Sequence, residues 1–157
     1  MDRLRPGLAR RRLPVGLVQH SPIIPRRSAS WQDRGYGRAL RASEAEAGFV
    51  VCDAVSGDRL GNIALEHHGR SGEVSYWVAA DGRGRGVATR ALVLFSAWSF
   101  RVIGVEELRL WVHRDNVASQ RVAARAGYQR DPSRDKSQET KGTDWPMLAF
   151  SLTQAAI

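Results

Sequence analysis

Between Glu73 and Arg90 the chain reads Glu73-Val-Ser-Tyr-Trp-Val-Ala-Ala-Asp-Gly-Arg-Gly-Arg-Gly-Val-Ala-Thr-Arg90, an extended apolar segment that breaks into alternating glycine and arginine and then turns helical. Few folds accept such a join. Gly82, Gly84 and Gly86 let the backbone take conformations closed to residues with a Cβ and approach a ligand closely. The first N–H groups of the following helix have no intrahelical acceptors. Together with the positive helix end and the guanidinium groups of Arg83 and Arg85, they favour a phosphate or pyrophosphate.

Two common phosphate motifs do not account for the segment. A P-loop carries Gly-Lys-Ser/Thr at the helix start, whereas this chain has Gly86-Val87-Ala88. A dinucleotide fingerprint needs a third glycine, and Gly84-Arg-Gly86-Val-Ala is followed by Thr89. Glu106 lies about twenty residues beyond Gly86, where that fingerprint places a ribose-binding acid, but it precedes the next strand instead of ending it.

The surrounding pattern predicts a fold of the α/β class in its α+β form, with a mixed, mostly antiparallel central sheet flanked by helices. Trp31, Tyr36, Ala39, Leu40, Ser43 and Ala47 fall near one helical face, predicting a helix over about 32–46. Residues 49–53, 60–66 and 73–79 read as strands of an antiparallel meander, joined by turns at 55–58 and 69–72. A helix over 86–102, a strand over 107–113 and a helix over 117–126 closed by Gly127 add a strand–helix–strand unit.

Four pieces of this pattern, in order, carry a resemblance to a known family. Arg83-Gly84-Arg85-Gly86-Val87-Ala88 fits Arg/Gln-x-x-Gly-x-Gly/Ala, and Trp98-Ser-Phe100 is followed by Leu108-Arg-Leu. Asn116-Val-Ala-Ser119-Gln-Arg-Val122 is followed by Gly127-Tyr128, and Gly142-Thr-Asp144 by Phe150-Ser-Leu152. The chain therefore resembles the GNAT N-acetyltransferase superfamily, in the Asn-x-x-Ser branch that includes the Rim-type ribosomal-protein N-terminal acetyltransferases. The resemblance covers roughly residues 49–152 and implies that the strands beginning at Glu73 and Leu108 splay apart to admit the pantetheine arm of acetyl-CoA.

It further implies a set of contacts: pyrophosphate on the loop Arg83, Gly84, Arg85, Gly86, Val87, Ala88 and Thr89, and pantetheine amides on the backbone beside Val78 and Ala80. Asn116 contacts the same arm or serves as an ordinary N-cap, roles that are compatible. Many members place a proton-donating tyrosine in the second helix, where this chain has Ala123, so Ser119 is the remaining catalytic candidate as donor to the leaving sulfur. A serine can equally bond a carbonyl one turn back.

Acetyl transfer needs a neutral amine, a polarised thioester and a proton for the departing thiolate. A lysine-type amine, with pKa about 10.4, costs roughly 4–5 kcal/mol to deprotonate at pH 7, whereas an α-amine near 7.7–8.0 costs only about 1 kcal/mol. Glu73 is the first candidate for the base or water-positioning group because it begins the strand bordering the gap; a solvated carboxylate after a glycine turn is the other reading. Glu139 and Asp144 are secondary candidates. His67, His68 and His113 have no metal-ligand spacing with a nearby acid or cysteine, so no metal is expected. Tyr76 and Trp77 read as one core and one cleft aromatic, in either order.

At 157 residues and 43% hydrophobic content the chain suits one globular domain with a core. The net charge of +8 is uneven: residues 1–34 carry +6 and residues 35–157 carry +2. An arginine-rich segment, residues 1–30, is therefore set apart as divergent or disordered, and residues 31–157 are assigned to the acetyltransferase-like domain. That segment also admits a transit peptide, an RNA-touching arm or a misassigned start. Cys52 stands alone in a strand pattern, which excludes an internal disulfide, suggests a core thiol and favours a cytoplasmic setting. Expected partners are acetyl-CoA and an amine acceptor, either a protein N-terminus or a small molecule such as a polyamine or aminoglycoside. No nucleic acid or membrane is expected, and the chain is expected to be a monomer or homodimer. A non-catalytic module that binds coenzyme A or nucleic acid is the alternative class.

Overall fold

The computed structural model describes residues 15–19 and 46–156. The helix expected over 32–46 lies outside the described residues apart from Glu46, which starts a strand. The described elements are β1 (Val15–Gln19), β2 (Glu46–Asp53), β3 (Arg59–His68), β4 (Ser71–Val78), α1 (Val87–Trp98), β5 (Glu107–His113), α2 (Val117–Arg125), β6 (Gln129–Arg130), β7 (Lys136–Thr140) and β8 (Thr143–Thr153). They form one mixed sheet in the order β1-β2-β3-β4-β5-β8-β6, with β7 paired to β8. Among the described residues only β4 and β5 pair in parallel.

Strand alternation decides which side is core. Phe49 and Val51 on β2, Ile63 and Leu65 on β3, Val74 on β4, and Leu108, Leu110 and Val112 on β5 are buried together with Phe150 and Leu152 on β8. Against them α1 lays Val87, Ala91, Leu92 and Phe95, a helical spacing that makes one apolar face, and α2 adds Ala123. Phe95 stacks on Trp98 at 5.6 Å and meets the edge of Phe49 at 5.6 Å. Each such side chain contributes roughly 1.5–3 kcal/mol on burial, so this face fixes where α1 begins and therefore where the glycine-rich loop sits.

Several sequence expectations need adjustment. Val15–Gln19 lies within the segment set apart as residues 1–30, yet it pairs antiparallel with β2 from Val15↔Asp53 to Gln19↔Phe49, and Val15 and Leu17 pack on the core. Cys52 is not in the core: it is half-buried, on the pleat opposite Val51, because alternation along β2 gives the helix side to Phe49 and Val51. Helix α1 stops at Trp98 and passes into a π turn over Ser99–Ile103, closed by Gly104 at φ +80°. Among the described residues no helix is long and apolar enough to cross a membrane.

Candidate functional site

The defining geometry is a strand pair that opens. β4 and β5 are paired at Ser71↔Glu107, Gly72↔Leu108 and Glu73↔Arg109, and nowhere beyond. From Val74 onward the edge of β4 facing β5 has no strand partner among the described residues. At the open end β4 leads into a 3-10 turn, Ala80–Gly82, and then the loop to α1.

That loop depends on two glycines. Gly84 and Gly86 have φ of +69° and +73°, a region that side chains with a Cβ rarely occupy. Gly86 is the N-cap of α1, supplies no side-chain hydrogen bond, and is followed by a first turn without an acidic residue. The first helical bond runs from the Arg90 N–H to the Gly86 carbonyl, 3.1 Å. The N–H groups of Val87, Ala88 and Thr89 therefore project from the helix end with no acceptor among the described residues.

The loop's arginines also brace it. The Arg83 Nε donates to the Val78 carbonyl at 3.2 Å and the Arg90 Nη2 to the Arg85 carbonyl at 3.0 Å. The Arg83 N–H bonds the Ala80 carbonyl at 3.1 Å, so the Val78 and Ala80 carbonyls each already accept one bond and keep one lone pair. Close by, the N–H groups of Val55 (2.8 Å) and Ser56 hold the Asp53 carboxyl below the usual carboxylate range, with a smaller pull from Arg85. Arg85 thus keeps a negative neighbour.

Across the gap, Asn116 caps α2: its Oδ1 accepts the Ser119 N–H at 3.0 Å. This fixes Ser119 in the first turn, and its Oγ lies 2.6 Å from the Tyr76 hydroxyl on β4. The serine hydroxyl is thus bonded to the facing strand, not to a carbonyl one turn back. Both residues are half-buried. Ala123, one turn further along α2, is fully buried. Tyr76 was legible only as one of two aromatics; the decisive signal was the pleat, since Gly72, Val74, Tyr76 and Val78 share the helix-facing side.

A second hydroxyl pair lies beneath. Ser96 donates to the Leu92 carbonyl at 2.7 Å, which uses its one proton, so the Tyr128 hydroxyl donates to Ser96 at 2.8 Å. Burial pushes the Tyr128 phenol well above its usual pKa, the bond to Ser96 opposes this, and nearby Tyr76 adds to it.

Glu73 is half-buried at the vertex of the gap, opposite Glu66 on β3 and beside Arg109 on β5, on the sheet face away from Tyr76 and Ser119. It is not brought together with Ser119. Glu139 and Asp144 face each other, exposed, near the tip of the β7–β8 hairpin. Glu106 is ion-paired with Arg70. On the face shared with Glu73, burial raises the Glu107 pKa but the Arg109 and Arg134 guanidinium groups outweigh it and keep the carboxyl ionised. Among the described residues no group of His, Cys, Asp or Glu is arranged to hold a metal ion.

Against known proteins, the acetyltransferase (GNAT) domain model matches residues 14–129. No curated protein matches the chain significantly. Among solved structures, a provisionally assigned ribosomal-protein-serine acetyltransferase from Vibrio cholerae superposes with a TM-score of 0.60 at 21% identity. The match covers 69% of this chain and only 64% of that one. Spermidine N-acetyltransferase from Vibrio cholerae, in complex with CoA and spermine, gives 0.64 at 22% identity over 72% of this chain and 68% of that one. Its dodecameric form in an intermediate state gives 0.63 at 22% over 72% and 67%. At these identities the likeness is one of fold.

Proposed function

Because the chain belongs to the GNAT acetyltransferase family, its match spanning residues 14–129, we propose that it transfers the acetyl group of acetyl-CoA to a primary amine at the gap between β4 and β5. The observation that carries this reading is the uncapped start of α1 at Gly86, set at the open end of a strand pair that parts after Glu73↔Arg109. The residues present fit coenzyme A: two positive-φ glycines bring backbone close to a ligand, and three free N–H donors and a helix dipole suit a pyrophosphate. Acetyl-CoA supplies an activated thioester.

Arg83 and Arg85 add positive charge beside those donors, while their bonds to loop carbonyls hold the loop in shape. The edge of β4 from Val74 onward, which has no strand partner toward β5 among the described residues, together with the remaining lone pairs at Val78 and Ala80, can receive the pantetheine amides as a strand would. Asn116 caps α2 and orients Ser119, which donates a proton to the leaving sulfur. We assign Glu73, at the vertex on the other face, the water-positioning role, the proton shed by the amine leaving through water.

We assign a protein N-terminal amine as the acceptor, since an α-amine needs only about 1 kcal/mol of deprotonation at pH 7 and thus little of the protein beyond positioning. A polyamine acceptor draws support from one feature: Glu66 and Glu73 stand directly opposite each other, a like-charge arrangement that a bound cation would relieve. Comparing turnover of a serine-initiated peptide with that of spermidine separates the two. Turnover of neither, together with no binding of coenzyme A, would sink the assignment.

A further inference from the structure

We infer that Tyr76 is the terminal source of the proton that Ser119 passes to the leaving sulfur, so that β4 supplies the phenol missing from α2. This rests on the acetyltransferase reading above. Three observations meet. The helix position of the expected tyrosine is Ala123, which is fully buried and has no hydroxyl. One turn earlier, Ser119 is locked in place by the Asn116 cap. Its Oγ is 2.6 Å from the Tyr76 hydroxyl, and Tyr76 lies on β4 just past the last pairing to β5, on the rim of the gap.

Acidity decides the direction of the bond. An aliphatic hydroxyl is about as weak an acid as water, while a phenol has a pKa of about 10 and a thiol about 8.5. Serine alone would have to give up its proton to a thiolate whose conjugate acid is far stronger than a serine hydroxyl. A phenol behind it narrows the gap to about 1.5 pKa units. The favoured arrangement is therefore Tyr76 donating to Ser119 Oγ, which leaves the serine proton aimed into the gap. In the transfer the carbonyl carbon forms a bond to nitrogen and breaks its bond to sulfur, which departs with the electron pair. The sulfur takes the Ser119 proton, Ser119 takes the Tyr76 proton, and the proton shed by the amine returns through water to the phenolate. Atoms and charge balance without any further reactant.

Tyr76 acts through Ser119 and is a positioning and relay residue. The test follows release of free coenzyme A thiol, which counts turnover whether spermidine, a serine-initiated peptide or water takes the acetyl group. Tyr76→Phe should lower kcat about 10- to 100-fold with KM for acetyl-CoA within about two-fold. The double variant with Ser119→Ala should be no slower than Ser119→Ala alone, because both act in one chain. Apart from turnover, the thiol of bound coenzyme A, titrated by its thiolate absorbance, should ionise at lower pH in the unaltered protein than in Tyr76→Phe. Multiplying effects in the double variant, or an unmoved thiol titration, would overturn the inference while leaving Ser119 as donor. Full activity in Ser119→Ala would overturn both. If Tyr76→Phe does not fold, a proton inventory of the unaltered enzyme in mixed light and heavy water decides: a bowed plot fits two protons in flight, and a straight one does not.

Discussion

Glu73 and Arg109 are the last residues at which β4 and β5 lie side by side; one residue later the two strands have separate neighbours. This is the one parallel joint among the described strands and holds by three residue pairs, and the edge of β4 it leaves without a strand partner carries Tyr76 and runs on toward the glycine loop.

Gly86→Val should weaken coenzyme A binding at least tenfold by calorimetry. A β-branched residue at φ +73° is strained by about 1–3 kcal/mol, and an added Cβ would sit 2.7 Å from the Arg90 Nη1. Arg90 can swing aside, so the fold should persist in circular dichroism. A folded variant that binds normally would remove the helix start from the site.

Ser119→Ala should reduce kcat by about 10²–10⁴-fold with little change in affinity for coenzyme A, the usual contribution of a placed proton donor. The bond it loses is to Tyr76, while the Asn116 cap survives, because Asn116 accepts from the backbone of residue 119. Steady-state kinetics on the variant decide the point, and an unchanged kcat counts against the role.

Deleting residues 1–27, an excision the sequence alone would permit, removes β1 and bares the edge of β2 from Phe49 to Asp53. Val15 and Leu17 leave the core with it. The expected result is a lowered thermal midpoint and concentration-dependent aggregation by light scattering, as an uncovered strand edge invites pairing. A truncated protein as stable and monodisperse as the full chain would show that β1 contributes little.

Tyr128 ties stability to alkaline pH. Its folded pKa is raised above the unfolded value of about 10, so its share of stability is complete below pH 10 and drains away as pH climbs toward the folded pKa. Tyr128→Phe should cost about 0.5–1.5 kcal/mol near pH 8 through the lost bond to Ser96, whose own bond to Leu92 remains. Urea titrations should then show the variant losing less stability than the parent between pH 8 and pH 11. Parallel losses would mean another group governs the alkaline limb.

What the sequence revealed was local. The loop announced itself because Gly84 and Gly86 occupy backbone conformations that few other residues tolerate, and α2 because Asn116 and Gly127 mark its two ends. The partnership of Tyr76 with Ser119 spans 43 positions and exists only once β4 and α2 face one gap, so no spacing rule encodes it. β7, read as Lys-Ser-Gln-Glu-Thr, pairs only with β8 and has four exposed residues, so it has no apolar alternation to betray it. β1 is five residues long with a glycine at its second position, too short to carry a period.

The short joint at Glu73↔Arg109 has a mechanical consequence. On either side of it lies a sheet half with extensive pairing of its own, β1 to β4 and β5 to β8, and besides three residue pairs the halves are fastened by α1 and its core contacts, by the Tyr76–Ser119 bond and by Arg70 with Glu106. Such a seam is where a sheet under load would part first. A molecule lying along it would be a stitch, so hydrogen exchange should slow at Val74–Val78 and at Leu110–His113 together when coenzyme A is added, and the two halves should then melt as one unit.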